Sequence, residues 1–262
     1  MGTVCGVATP ADLELALSLA DTADRITLEY FRRTDLQVET KPDFTPVTEA
    51  DQATERALRD EIARQRPEDS VVGEEYGGSD GRGRRWIIDP IDGTRNYLRG
   101  VPVWATLIGL AEGDTVTVGV VSAPALGRRW WAARGHGSWT QGPEDSAPRR
   151  NAVSTVGQLA EASFSFSDGV DWPEGGLARL MDSAWRSRAY GDFWSHMMVA
   201  EGVVDIAAEP VLSIWDVAAL VPVIEEAGGR ITGFDGGDLL TGVGSVTSNG
   251  LVHEAALRAI HG

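Results

Sequence analysis

Residues 86–97 read "WIIDPIDGTRNY". Three bulky apolar residues predict a buried strand, and two aspartates around a proline end it. Carboxylates at the tip of a buried strand are costly unless a positive charge compensates them. Pro90 interrupts regular pairing, so the chain bends there. The bend can aim the Asp89 and Asp92 side chains and the Ile91 carbonyl at one point. Gly93 lets the backbone approach another group closely. Thr94 to Tyr97 can open a helical turn whose free N–H groups suit an anion. Hard oxygen ligands beside an anion site point to a divalent cation, Mg²⁺, holding a phosphate. The competing reading is an Asx-turn, in which each aspartate caps its own backbone. This segment alone leaves both open.

The surrounding pattern is mixed. Residues 9–31 predict an amphipathic helix capped by Thr9, with Pro10 at its first position and Leu13, Ala16, Leu17 and Ala20 on one face. A loop is expected at 40–51, a second helix at 49–65, a strand at 70–76 and a glycine-rich turn at 77–85. Two strands around the turn Glu112-Gly113-Asp114 occupy 104–125, and another strand and turn occupy 128–139. Residues 140–150 are polar and read as a surface loop. A strand follows at 162–167, then helices at 175–184, 193–202, 215–227 and 251–260. Two helices, an antiparallel sheet and an alternating half predict a layered α+β or α/β architecture. The two halves, 1–150 and 151–262, are expected to pack tightly as one unit.

Charge and cysteine content narrow the function. The chain has 262 residues, 42% of them hydrophobic, with 23 basic against 39 acidic side chains and a net charge of −16. That balance disfavours a nucleic-acid partner, which needs a basic stripe. Cys5 is the only cysteine, so no intramolecular disulfide forms, which fits a reducing cytoplasm. No apolar run approaches a membrane span; "VPVWATLIGLA" (101–111) is too short. The N-terminus lacks the pattern of a signal peptide.

More acids frame the central motif, each with a plainer explanation. "GEE" (73–75) ends the neighbouring strand and offers Glu74, which an exposed strand end also explains. "WDVA" (215–218) puts Asp216 at a helix start, where capping or the helix dipole would account for it. Asp51 follows Thr48 by three residues, as in a capping box. Lys41 precedes them on a loop. His136, His196, His253 and His261 lack metal-ligand spacing and read as structural or surface residues. Trp130 and Trp131 read as core or interface.

Taken together, "GEE", "WIIDPIDGT" and "WDVA" resemble the inositol monophosphatase family of metal-dependent phosphatases, in that family's order and approximate spacing. "RGVPVWA" (99–105), "GVVSAPAL" (119–126), "RRWWAARG" (128–135), "RAYGDF" (188–193) and "DIAAEP" (205–210) resemble the bacterial histidinol-phosphatase branch. The resemblance implies an α/β/α/β/α sandwich. It implies one ion on Glu74, Asp89 and the Ile91 carbonyl, a second on Asp89, Asp92 and Asp216, and a third, weaker ion near Glu74. Mg²⁺ is the implied metal, with Mn²⁺ a substitute. Glu74 would orient or deprotonate the attacking water, supported by Thr94 and Asp51 through a hydrogen-bonded network. The backbone at Gly93 and Thr94 would hold phosphate, and Asp92, Arg188, Asp192, Glu209 and Asp216 would line the substrate. The implied reaction is hydrolysis of L-histidinol phosphate by a cytoplasmic homodimer. Its rival is inositol-1-phosphate hydrolysis; a non-catalytic scaffold that kept the fold is a third class. Metal-dependent phosphate release separates the scaffold from the enzymes.

Overall fold

The computed structural model describes residues 9–41, 45–78, 83–240 and 244–262. Cys5, part of the 40–51 loop and part of the 77–85 turn lie outside the described residues.

Helix α1 spans Pro10–Tyr30 and α2 spans Glu49–Gln65. Each starts in a capping box, Thr9 with Asp12 and Thr48 with Asp51. The box satisfies backbone donors that a helix start leaves orphaned. Between the helices, β1 (Val38–Thr40) and β2 (Pro46–Thr48) pair antiparallel. The loop expected at 40–51 is thus partly a small hairpin running straight into α2.

A seven-stranded sheet follows. It comprises β3 (Ser70–Gly73), β4 (Arg84–Asp92), β5 (Ala105–Glu112), β6 (Thr115–Ala123), β7 (Arg128–Ala133), β8 (Ser138–Gln141) and β9 (Arg149–Arg150), in that spatial order. Only β3 and β4 run parallel; the other neighbours are antiparallel. The polar segment at 140–150 is not all loop, because its end returns as β9 to pair with β8. Helix α3 (Thr94–Leu98) follows β4 directly.

The second sheet holds β10 (Ser163–Ser165), β11 (Arg186–Arg188), β12 (Ile206–Glu209), β13 (Arg230–Thr232) and β14 (Ser245–Ser248), ordered β11-β10-β12-β14-β13. Its helices are α4 (Gly176–Ser183), α5 (Asp192–Ala200), α6 (Ile214–Val217), α7 (Leu220–Glu225) and α8 (His253–His261). The single helix expected at 215–227 is two. A proline ring at Pro222 clashes with the carbonyl four residues earlier and offers no N–H to it. That carbonyl belongs to Ala218, where α6 ends.

Burial arranges these elements in five layers. Leu15, Leu19, Leu58 and Ile62 of α1 and α2 pack on Trp86, Ile88, Ile108 and Val120 of the first sheet. The opposite face, with Ile87, Leu107, Val121 and Trp130, packs on Phe193, Met197, Leu220 and Ile224 of α5 and α7. Val199 of α5 reaches Ala207 of the second sheet. That sheet's far face, with Phe164, Ile206 and Val246, is covered by Leu180, Ala256 and Ile260 of α4 and α8. The order is α/β/α/β/α, as the resemblance implies. Trp130 lies fully buried, donating its indole N–H to Glu201 Oε1 at 2.8 Å, while Trp131 is half-buried against the α1 side.

The histidines lie away from the acidic motifs in bonding. His253 Nδ1 and Nε2 sit 2.9 Å from Ser248 Oγ and 3.0 Å from Thr232 Oγ1, and His261 Nε2 is 2.9 Å from the Phe234 carbonyl oxygen. His196 is buried in α5, with Nδ1 2.8 Å from Thr247 Oγ1 and no partner at Nε2. Burial pushes its pKa from 6.5 down to about 4. The unfolded chain therefore binds a proton here that the folded chain refuses. The stability involved is present above pH 6.5 and is lost as pH falls toward 4. Replacing His196 with Asn should flatten the pH dependence of urea-unfolding stability across that window. An unchanged slope would assign the acid sensitivity elsewhere.

Candidate active site

The two aspartates of β4 face the same way because the strand is irregular between them. Asp89 pairs with Leu107 and Asp92 with Ala105, so three steps on β4 match two on β5. In a regular strand, residues three apart point to opposite faces. The extra residue of the bulge returns Asp92 to the face of Asp89. Pro90 lies within the bulge, and its carbonyl accepts the Thr106 hydroxyl at 2.8 Å. Gly93 follows in the left-handed region, φ +83°, and starts α3. A Cβ there would lie 3.1 Å from the Val103 carbonyl oxygen and 3.3 Å from Asp192 Oδ2.

Asp89, Asp92 and Asp216 each present an oxygen to one point, all within 4.8 Å of one another. Each also gives one oxygen to a backbone N–H. Asp89 Oδ1 accepts from Ile91 at 2.9 Å, Asp92 Oδ2 from Phe193 at 2.8 Å and Asp216 Oδ2 from Ser213 at 2.6 Å. Asp51 repeats the pattern: Oδ2 accepts the Thr48 N–H at 2.8 Å and hydroxyl at 2.5 Å, while buried Oδ1 has no partner. The plain readings are therefore real. Asp89 makes an Asx-type turn, and Asp51 and Asp216 complete capping boxes. Those bonds use one oxygen of each carboxylate and lock the direction of the other.

The electrostatics suit a cation. Burial raises the pKa of Asp89 and Asp92 well above the usual carboxylate range, and neighbouring carboxylates raise them further. Burial likewise pushes Asp216 to about 7 and Asp51 to about 6. An all-oxygen donor set, crowded and only partly satisfied by N–H groups, suits a hard divalent cation.

Glu74 stands at the rim, outside the three-carboxylate group. Its Oε1 accepts Lys41 Nζ at 2.7 Å, and the same ammonium reaches Glu75 Oε1 at 2.8 Å. Burial alone would lower the Lys41 pKa, but its bonds to both glutamates outweigh that and hold it above the ordinary lysine value. Thr94 and Asp51 share no direct hydrogen bond. Thr94 Oγ1 instead donates to the Ile91 carbonyl at 3.0 Å, because the bulge turns that carbonyl toward the start of α3.

A cleft of about 480 Å³ opens beside these groups, lined by Glu74, Gly93, Thr94, Ser167, Asp168 and Asp192 among others. Ser167 joins its acids: its hydroxyl donates to Glu209 Oε1 at 2.5 Å and accepts the Asp192 N–H at 2.8 Å. Asp192 takes a left-handed φ of +48°, rare outside glycine, and its Oδ2 accepts Asn96 Nδ2 at 2.8 Å. Arg188 is not paired with Asp192. It is exposed on edge strand β11, with Nη1 donating to the Ser187 carbonyl at 2.7 Å. Asn96, Ser167 and Asp168 escaped the sequence reading. Asn96 lies two residues past Thr94 in the quoted motif and was within reach of it. Ser167 looks like any small polar residue of an alternating strand.

The model of the inositol monophosphatase family matches residues 11–262. The chain is 53% identical over 255 residues to the histidinol-phosphatase of Mycobacterium tuberculosis, covering 95% of this chain and 98% of that one. It is 53% identical over 254 residues to the histidinol-phosphatase of Streptomyces coelicolor, covering 94% and 95%. The solved structure of a Thermotoga maritima IMPase superposes with a TM-score of 0.85 at 31% identity, over 95% of this chain and 96% of that one. With nearly the full length matched in sequence, layers and acidic motifs, the chain belongs to the inositol monophosphatase family.

Proposed function

We propose that the protein is a Mg²⁺-dependent phosphomonoesterase that hydrolyses L-histidinol phosphate to L-histidinol and phosphate. The supporting observation is the acidic wall of the cleft, lined by Asp168 and Asp192 with Glu209 bonded behind Ser167, beside the carboxylate cluster. Histidinol phosphate carries a cationic amine and an imidazole, whereas inositol phosphate offers only hydroxyls. Burial pushes Asp192 to about 6 and Glu209 to about 8; Asp168 adds to both rises and Asp192 to that of Glu209, while the Arg95 guanidinium, which also lines the cleft, works against the rise at Asp192. Three carboxylates against the guanidinium of Arg95 leave the wall short of positive charge, and the ammonium carried by the leaving alcohol supplies it. The two curated relatives at 53% identity support the same substrate.

Asp89, Asp92, Asp216, Glu74 and the Ile91 carbonyl would hold two or three ions, Mg²⁺ or in its place Mn²⁺. When bound, the cations neutralise phosphate charge and make water a better nucleophile. The remaining work falls to the chain. Gly93 and Thr94 present backbone N–H groups to the phosphate. Glu74, at the rim, orients the attacking water and takes its proton. Asp51 keeps a free, buried oxygen beside them. Asp192, fixed by Asn96 and Ser167, grips the leaving group's amine.

A charge-assisted hydrogen bond of this kind contributes about 1.5–3 kcal/mol. Asp192→Asn should therefore lower kcat/KM for histidinol phosphate about tenfold or more and leave inositol-1-phosphate hydrolysis little changed. Glu209 also accepts hydroxyls, which makes inositol-1-phosphate the rival substrate and Asp192 the more discriminating residue. Equal losses on both substrates would make Asp192 structural. Higher wild-type kcat/KM on inositol-1-phosphate would overturn the histidinol assignment.

A further inference from the structure

Glu55 lies one helical turn beyond Asp51 on α2, so both side chains leave the same face. It is fully buried. Its Oε2 accepts the Glu75 N–H at 2.7 Å, and its Oε1 accepts the Tyr76 N–H at 3.3 Å and Arg59 Nε at 2.8 Å. The Arg59 guanidinium also donates to the Gly77 carbonyl. The turn that leaves β3 is thus wrapped around one carboxylate and one guanidinium. Gly73 makes the wrapping possible, since a Cβ there would lie 2.0 Å from Glu55 Oε1.

The turn has one further feature. Its first residue is Glu74, whose N–H donates to the Ile88 carbonyl at 3.2 Å, one residue before Asp89. A tight turn needs no buried acid; glycine or asparagine chemistry suffices. Burying a carboxylate is costly unless its oxygens are fully used, and here three donors use them. Successive N–H groups converging on an anion fix a backbone more firmly than solvent does.

We infer that Glu55 is a positioning residue, holding the turn so that the Glu74 carboxylate faces the Asp89–Asp92–Asp216 group. This rests on the reading of Glu74 as a cation ligand given above. Glu55 touches neither substrate nor cation; it acts through the backbone of Glu75 and Tyr76. Arg59 closes the other side of the same clamp.

The test is Mg²⁺ titration of metal-free protein by calorimetry, for wild type, Glu55→Gln, Glu74→Gln and the double variant. Glutamine keeps the length but offers one acceptor oxygen, and its amide N–H₂ must face a donor. Glu55→Gln is expected to weaken Mg²⁺ binding about tenfold or more, as lost partners behind a metal ligand do. In the Glu74→Gln background the same change should cost little, because the ligand it positions is already gone. A change under about twofold in Glu55→Gln, or an equal loss with and without Glu74, overturns the inference. If Glu74→Gln itself leaves Mg²⁺ affinity intact, the ligand reading of Glu74 falls and takes this inference with it. Should Glu55→Gln fail to unfold cooperatively, Arg59→Gln carries the same comparison. It loosens the Gly77 end of the turn from a partly exposed position, and the same non-additivity with Glu74→Gln is expected. Its absence overturns the inference.

Discussion

Asp92→Asn is expected to lower kcat for phosphate release by at least about a hundredfold, beyond the 10–100-fold typical of residues that only support a ligand. The substitution is nearly isosteric, and the asparagine carbonyl can still accept the Phe193 N–H that now binds Asp92 Oδ2 at 2.8 Å. The start of α5, and with it Asp192, therefore stays in place. What changes is the oxygen facing Asp89 and Asp216, which becomes an amide nitrogen with no charge and no lone pair for a cation. Single-turnover and steady-state phosphate release at saturating Mg²⁺ measure the loss. A kcat near wild type would remove Asp92 from the ligand set and with it the proposed mechanism.

The same residue shows what the sequence carries and what it withholds. A strand ending in two aspartates around Pro90 announces a bend and a shared target. It does not announce the register slip against β5 that turns both side chains to one face, because register is a property of the pair of strands. Asp216 and Asp51 illustrate the converse difficulty. Their capping role is readable from local spacing, and it competes on paper with a role at the site, as a ligand for Asp216 and as a support for Asp51. In the folded chain capping takes Oδ2 of each carboxylate and leaves Oδ1 to the site, so the two roles are compatible and the local motif can anchor the long-range one.

Other features depend on contacts that no local pattern encodes. The break between α6 and α7 was foreseeable from Pro222 alone, since the clash it imposes is local. The Arg188 side chain was not: it lies exposed on edge strand β11 and donates to the Ser187 carbonyl, while Asn96 bonds the Asp192 carboxylate. The bond made by the Thr94 hydroxyl is of the same kind. It goes to the Ile91 carbonyl, which the bulge frees from ladder pairing. Glu55 reads in sequence as an ordinary helix acid in an i,i+4 pair with Arg59. Only the fold-back of the turn after β3 onto α2 buries it and gives it a turn to hold.

A carboxylate cluster arranged this way stores repulsion that a cation relieves, so Mg²⁺ should stabilise the folded chain as well as activate it. A ligand of the native state alone contributes about 2.7 kcal/mol at a hundredfold excess over its Kd. For a chain near this size, each kcal/mol moves the thermal midpoint by roughly 2–4 °C, so the expected rise is about 5–10 °C. Differential scanning fluorimetry at matched ionic strength, with Mg²⁺ against a chelator, reads the shift. Asp92→Asn separates this from a general salt effect. Without metal it should melt higher than the metal-free wild type, because one of the charges crowding Asp216 is gone. With Mg²⁺ it should gain much less. A wild-type midpoint that ignores both Mg²⁺ and chelator would mean that the backbone N–H bonds on Asp89, Asp92 and Asp216 already satisfy them. The cluster would then be a set of turn and helix caps, and the cation would have no place in it.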